Sequence, residues 1–268
     1  MYALNYVKAK SVKEASELLA AHPEAKLLSG GMTLIPTLKQ RLAKPSHLVD
    51  IGQLAELRGI ESKGGKLTIG SGSKHHEVAS SAAVAKAIPA LAELAGVIGD
   101  PQVRNMGTMG GSVANNDPAA DYPAAVLGLN ATIVTNKREI AADAFFKGMF
   151  ATALEDGEII LRFEFPIPKK AAYSKFHHPA SGYAMAGVMV VDTGSGVRVA
   201  VTGAGPGVFR WKEAETALGK AMKAEALEGV ALKSDDFNED IHASRAYREN
   251  LVRVMARRAV AKLAGKKK

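Results

Sequence analysis

Two short stretches pair glycines with hydroxyl side chains, Ser29-Gly30-Gly31-Met32-Thr33 and Thr108-Met109-Gly110-Gly111-Ser112. A backbone without side chains brings its N–H groups close to a phosphate, and a helix N-terminus behind the turn adds attraction for negative charge. The hydroxyls beside the glycines can donate to phosphate oxygens. One Gly-Gly is ordinarily a turn and nothing more. Two of them, each flanked by hydroxyls, suggest the two halves of a pyrophosphate clamp. The familiar nucleotide loops are not there. Gly70-Ser71-Gly72 and Gly203-Ala204-Gly205-Pro206-Gly207 both lack the last glycine of G-x-G-x-x-G, and no G-x-x-x-x-G-K-[ST] occurs.

Other chemistries find little support. His75-His76 precedes Glu77, and His177-His178 stands apart, but adjacent histidines point in different directions on a helix or a strand. No H-x-x-x-H or H-E-x-x-H spacing occurs, and no Ser-His-Asp arrangement is readable. The chain has no cysteine, which excludes disulfides, thiol catalysis, cysteine-bound zinc and a cysteine-held iron–sulfur cluster within it. That absence fits a reducing compartment. The N-terminus shows no apolar core of signal-peptide length and no apolar run is long enough to cross a membrane, so a cytoplasmic protein is expected.

At 268 residues, 47% hydrophobic and 23% charged, the chain reads as an ordinary globular protein of one large domain or two modest ones. Lysine and arginine number 35 against 27 acidic residues, a formal charge of +8, and Lys266, Lys267 and Lys268 carry three of those charges. With only 6% aromatic residues and no interleaving of basic and aromatic positions, nucleic acid is not the expected partner. A solvated basic helix and tail accounts for the charge.

The elements that would hold the glycine stretches follow from periodicity. "SVKEASELLAAH" opens with a capping box, Ser11 and Glu14, and reads as a surface helix. "AKLL" is a short strand, Thr33 can cap the next helix, and "SHLVDIG" is another strand. "LRGIESKGGKLTIGSG" is a hairpin around Gly64-Gly65. Residues 73–97 read as helical, broken near Pro89. The region 98–117 is rich in Gly, Asn and Asp without apolar period, so a helix is expected to begin at Pro118. "TIVTNKREI" and "IILRFEF" are strands, and Pro166, Pro168, Lys169 and Lys170 mark a boundary. Beyond it come three strands, "YSKFHH", "AMAGVMVVD" and "VRVAVTGAG", then helices ending in a long amphipathic one over 244–263. The result is an α+β chain in two parts.

"SGGMTLIPTLKQRLAKPSHLVDIG" together with "IGDPQVRNMGTMGGSVANNDPAADYPA" resembles the medium, FAD-binding subunit of the molybdenum hydroxylases, the xanthine dehydrogenase and aerobic carbon monoxide dehydrogenase family. The resemblance extends through "FFKGMFATALEDGEIILRFEFP", "HHPASGYAMAGV" and "DIHASRAYRENLVRVMARRAV". It implies a vanillyl-alcohol-oxidase (PCMH)-type FAD-binding fold of two α/β subdomains, about 1–55 and 56–168. A C-terminal domain, 169–268, would carry a small antiparallel sheet and helices. Ser29, Gly30, Gly31, Met32, Thr33 and Leu34 would form one jaw on the pyrophosphate, and Thr108, Met109, Gly110, Gly111 and Ser112 the other. Asp121 matches an acidic FAD contact, Ile98 and Ile160 match apolar positions near the flavin, and Lys175 matches a lysine reaching the cofactor from the second domain. Tyr183 sits where an aromatic can cover the ring.

Each of these has a plainer reading beside it. Asp121 can serve the first turn of its helix, Lys175 can be a solvated strand lysine, and Tyr183 can be core. Asn115, Asn116 and Asp117 are turn residues first and ligands second. Where the family commonly has Ala-Gly-Gly-His-Ser, this chain has Ser29-Gly30-Gly31-Met32-Thr33, which leaves no histidine for a covalent link and implies non-covalent FAD. Ser112 replaces the asparagine that often ends the second motif.

A flavin couples one-electron centres to two-electron acceptors. The resemblance therefore implies an electron-exit subunit with no acid or base catalyst of its own. Its partners would be a small subunit with two [2Fe–2S] clusters and a large subunit with molybdenum cofactor, and its acceptor NAD, a quinone or oxygen. The alternatives are a stand-alone FAD-dependent NAD(P)H reductase on the same fold and a flavin-free assembly subunit.

Overall fold

The computed structural model describes residues 1–265, and the three terminal lysines of the expected basic tail lie outside them. The first 50 residues alternate strand and helix: β1 (Asn5–Lys8), α1 (Val12–Ala21), β2 (Lys26–Leu28), α2 (Leu34–Lys39) and β3 (His47–Asp50). The three strands form a parallel sheet in the order β1-β3-β2, each crossover made by a helix. Half of the expected capping box forms. Ser11 Oγ accepts from Glu14 N at 3.1 Å, but the Glu14 carboxylate takes the Lys10 amide instead of that of Ser11.

The second unit is a five-stranded antiparallel sheet, and most of its helices are inserted in one stretch of chain. Strands β4 (Ile60–Lys63) and β5 (Lys66–Gly70) form the expected hairpin, its Gly64 and Gly65 both at positive φ (+58° and +76°) as a tight two-residue turn requires. Six short helices follow: α3 (His75–Ser80), α4 (Ala82–Ala87), α5 (Pro89–Gly96), α6 (Pro101–Met106), α7 (Met109–Asn115) and α8 (Tyr122–Gly128). Next come β6 (Thr132–Thr135), β7 (Glu139–Ala141), α9 (Ala142–Phe145), the small hairpin β8 (Phe146–Gly148) with β9 (Ala151–Thr152), and β10 (Ile160–Pro166). The sheet order is β4-β5-β10-β6-β7.

Three expectations need correction here. The 73–97 helix is broken at Ser81 as well as at Pro89, because Ser81 Oγ caps a new helix by accepting from Val84 N. The supposed irregular region is largely the two helices α6 and α7, each started by a side-chain cap, Asp100 on Val103 N and Thr108 on Gly111 N. Finally, the next helix begins at Tyr122 and not at Pro118. Pro118 instead lies in a loop gripped by the C-terminal strands.

The last part is an antiparallel meander, β11 (Lys170–His177), β12 (Ala184–Asp192), β13 (Val197–Thr202) and the short β14 (Phe209–Arg210), followed by α10 (Lys212–Lys220) and α11 (Arg245–Leu263). Both faces of this sheet are covered, which is why β12 is buried from Ala184 to Val191 without polar alternation. Ala172, Val188, Val190, Val199 and Val201 face α10 and α11. On the opposite face Tyr173, Met189, Val191 and Ala200 join the same core as Leu91, Leu94, Ala125 and Val126 of α5 and α8. The core therefore runs across the connection at 167–169. In α11 the buried positions Arg248, Leu251, Val252, Met255, Ala256, Ala259, Val260 and Leu263 follow the expected stripe, with Arg257 and Arg258 exposed on the far side. Among the described residues no helix is long and apolar enough to cross a membrane.

Candidate functional site

The two glycine stretches meet. Ser29 Oγ and Thr108 Oγ1 lie 3.0 Å apart. Gly30 packs so tightly on the end of α6 that a Cβ there would stand 2.3 Å from Met106 O and 2.7 Å from Gly107 Cα. Gly31 has φ +71°, a left-handed backbone that glycine adopts at little cost. Met32 and Thr33 are exposed, and the amides of Gly30, Gly31, Met32 and Thr33 donate to no acceptor among the described residues. Four free N–H groups on an exposed turn next to a helix start suit a phosphate-bearing ligand. Leu34 opens that helix, α2. Thr33 occupies its N-cap position but makes no side-chain cap, contrary to expectation, because its backbone is already helical (φ −102°, ψ −48°).

The second stretch differs in kind. It is the first turn of α7 and not a turn between elements. Its amides are consumed inside the protein: Met109 N donates to Ser73 O (2.9 Å), Gly110 N to Ser71 O (2.8 Å) and Gly111 N to Thr108 Oγ1 (3.2 Å). Gly110 is buried, and a Cβ on it would lie 2.6 Å from Ser71 Cβ, so close backbone packing by itself requires glycine there. Gly111 is exposed and Ser112 half-buried. The two stretches are thus asymmetric: the first leaves its amides free, and the second offers mainly the hydroxyls of Thr108 and Ser112.

Around the jaws the C-terminal sheet closes on residues 117–121. Gly203 N donates to Pro118 O (2.8 Å) and Ala184 N to Ala119 O (3.1 Å), while the Thr202 hydroxyl lies within bonding distance of Pro118 O and Ala120 O. Asp121 holds the N-cap position of α8 without capping it. Its buried carboxylate instead takes Lys175 Nζ at 2.8 Å and the Tyr173 hydroxyl. Lys175 is not a solvated strand lysine: its side chain is only 2% exposed, and Nζ also donates to Val97 O at 3.1 Å. Burial pushes the Asp121 carboxyl up from its ordinary range, against the opposing pull of the Lys175 ammonium and the Tyr173 hydroxyl. Burial beside Asp121 likewise drives the Tyr173 phenol well up, so it remains a donor.

Tyr183 is 42% exposed, which rules out the core reading, and its hydroxyl lies beside that of Thr33. Partial burial, with Asp117 and Asp121 nearby, raises its pKa. Ile98 is half-buried in the loop between α5 and α6. Ile160 is buried in the main core, in the same cluster as Met109 of the second stretch and Tyr173. Asn115 lies half-buried at the end of α7. Asn116 is its left-handed C-cap (φ +45°), with its side-chain amide spent on Gly148 O and Ala151 O, and Asp117 accepts from Ala119 N. The last two are turn residues, as read.

Sequence reasoning missed several participants. Tyr173 stands two positions before Lys175 on the same face of β11, a period-two signal that was available. Arg104 Nη1 donates to Ile98 O and Gly99 O, both at 3.0 Å. His75 is buried beneath Gly107, its ring 5.3 Å from that of Tyr122, and burial with Arg104 nearby lowers its pKa to about 4. His76 next to it is exposed.

Comparisons with known proteins span nearly the whole chain. The family model "FAD binding domain in molybdopterin dehydrogenase" matches residues 2–168, and "CO dehydrogenase flavoprotein C-terminal domain" matches residues 171–263. The chain is 36% identical to the carbon monoxide dehydrogenase medium chain of Hydrogenophaga pseudoflava, over 95% of each chain. It is 35% identical to the nicotine 6-hydroxylase medium subunit of Paenarthrobacter nicotinovorans, over 96% of each. The solved structure of reconstituted CO dehydrogenase from Oligotropha carboxidovorans superposes with a TM-score of 0.92 at 32% identity, covering 99% of each chain.

Proposed function

Because the chain belongs to the FAD-binding medium subunits of the molybdenum hydroxylases, the family of the carbon monoxide and xanthine dehydrogenases, we propose that it is the electron-exit subunit of such an oxidoreductase. In that complex the chain receives electrons from the [2Fe–2S] clusters of a small partner subunit. They originate at the molybdenum cofactor of a large one and leave to NAD, a quinone or oxygen. Bound FAD supplies the junction between one-electron and two-electron transfer. The absence of cysteine supports a partner-held cluster and a cytoplasmic setting.

The observation that carries this reading is the contact between Ser29 and Thr108 beside four free amides. We assign the pyrophosphate to the amides of residues 30–33 and to the hydroxyls of Ser29, Thr33, Thr108 and Ser112. The left-handed Gly31 gives a bound phosphate close access to the backbone. Ile98, Asp121, Lys175 and Tyr183 form the wall toward the flavin, with Asn115 at the rim and Ile160 supporting from the core. Met32, where relatives commonly carry histidine, leaves the cofactor non-covalently held. Residues 1–168 and 169–268 act as FAD-binding and C-terminal domains on one shared core.

The test is to purify the natively expressed protein with whatever it retains, then record an absorption spectrum and analyse metals. Flavin bands with iron, molybdenum and two co-purifying chains are expected. Flavin on a lone chain that oxidises NAD(P)H would replace the proposal with a stand-alone reductase. A chain that takes up no FAD on reconstitution overturns it.

A further inference from the structure

Three consecutive carbonyls in the 97–99 loop each accept a hydrogen bond from a cationic side chain. Val97 O takes Lys175 Nζ at 3.1 Å, and Ile98 O and Gly99 O both take Arg104 Nη1 at 3.0 Å. The loop is otherwise poorly anchored. Gly99 and Asp100 are exposed, Val97 and Ile98 are only half-buried, and the amides of Val97 and Ile98 make long bonds to Leu94 O (3.2 Å) and Ala95 O (3.4 Å).

Part of this is ordinary helix chemistry, since cations favour the C-terminal end of α5 and Asp100 caps α6 through Val103 N at 2.7 Å. A single cation at a helix C-terminus is favourable but not required. Here two converge from different elements on three residues, and the guanidinium nitrogen ties two successive peptide planes together. Gly99 is left-handed (φ +51°), and a Cβ there would stand 2.9 Å from Val103 Cγ1. The loop also abuts the one bearing Tyr183, for a Cβ on Gly182 would lie 3.7 Å from Gly99 Cα.

We propose that Arg104 is a positioning residue for the cofactor, acting by fixing the carbonyls of Ile98 and Gly99 and so the wall this loop presents to bound FAD. The inference rests on the reading of Ile98 as a flavin neighbour. Both carbonyls are bridged by the single nitrogen Nη1, held in place by the rigid guanidinium plane; lysine at 104 is shorter and carries its ammonium on a flexible stem, so it should replace arginine only in part.

The experiment uses the full-length chain reconstituted with FAD and compares wild type, Arg104→Ala, Arg104→Lys, Ile98→Ala and the double variant R104A/I98A. FAD affinity, visible flavin circular dichroism and the melting temperature of the apo chain are recorded for each. Arg104→Ala is expected to weaken FAD binding by about tenfold or more and to shift the flavin dichroism toward that of Ile98→Ala. Arg104→Lys should fall between, and the double variant should lose less than the two single losses combined. Wild-type affinity and dichroism in Arg104→Ala, or full additivity with Ile98→Ala, overturns the inference. Should Arg104→Ala fail to fold, Arg104→Lys carries the same comparison. A wild-type chain that binds no FAD sinks the cofactor reading itself, and the inference with it.

Discussion

Ser29 and Thr108, 79 positions apart in sequence, stand hydroxyl to hydroxyl at 3.0 Å. One ends the strand–turn segment of the N-terminal sheet and the other starts a helix of the second unit, so this contact measures how well the two jaws are registered.

Thr108 also caps α7, whereas Ser29 caps nothing. Thr108→Ala should therefore cost the apo chain about 1 kcal/mol of stability, and Ser29→Ala distinctly less. Both should weaken FAD. Urea unfolding of the apo forms beside FAD titration separates the two effects. Equal stability losses would mean that the cap is not what Thr108 contributes.

Gly110 and Gly111 are neighbours with opposite demands. A methyl at Gly110 meets Ser71 Cβ at 2.6 Å and Ser71 O at 2.7 Å, while one at the exposed Gly111 meets only Thr108 Oγ1 at 3.0 Å. Gly110→Ala should destabilise by about 1–3 kcal/mol through overpacking, and Gly111→Ala much less, helped by its better helix propensity. Denaturant midpoints that are the same for both would contradict the close-packing account.

His75 makes stability pH-dependent. Its folded pKa of about 4 lies below the ordinary 6.5, so between these values the unfolded chain binds a proton that the native one refuses. The stabilisation is present above 6.5 and is lost as pH falls toward 4, with a span of about 3 kcal/mol. His75→Leu, at a position whose Nδ1 has no hydrogen-bond partner among the described residues, should flatten this slope. Unfolding free energies of both proteins from pH 7 to pH 4.5 provide the check.

Lys175 and Asp121 are buried together, at 2% and 4% side-chain exposure. Lys175→Met strands the carboxylate and should cost about 3–5 kcal/mol. Adding Asp121→Asn removes the orphaned charge, keeps an acceptor for the Tyr173 hydroxyl and should recover part of the loss. Thermal melts of the single and double variants decide it. No recovery would mean that Lys175 matters through packing alone.

What was legible in the sequence was local. The Gly64-Gly65 hairpin, the three strands of the C-terminal meander and the stripe of α11 are written in turn residues and in periods of two and 3.6. Helices α6 and α7 were not, because six- and seven-residue helices with glycine, asparagine and serine show no apolar stripe. Their stability comes from caps at Asp100 and Thr108 and from backbone packing at Gly107 and Gly110. At the site, the glycine stretches were readable as a pair, but the difference between them was not. Whether an amide is free depends on Ser71 and Ser73, far from Gly110 in the sequence. The Asp121–Lys175 pairing spans 54 positions, and no short-range pattern carries it.

The grip of β12 and β13 on residues 118–120 bears on motion. Because Ala184 N, Gly203 N and the Thr202 hydroxyl all close on that loop above a continuous core, the C-terminal sheet could swing away only by breaking these bonds and opening that core. If FAD sits at the seat proposed above, its uptake is expected to follow the opening of exposed turns and not a domain closure. Hydrogen exchange would report both ends of that range, with Ala184 and Gly203 amides exchanging only on global unfolding and those of residues 30–33 almost at once until a ligand covers them.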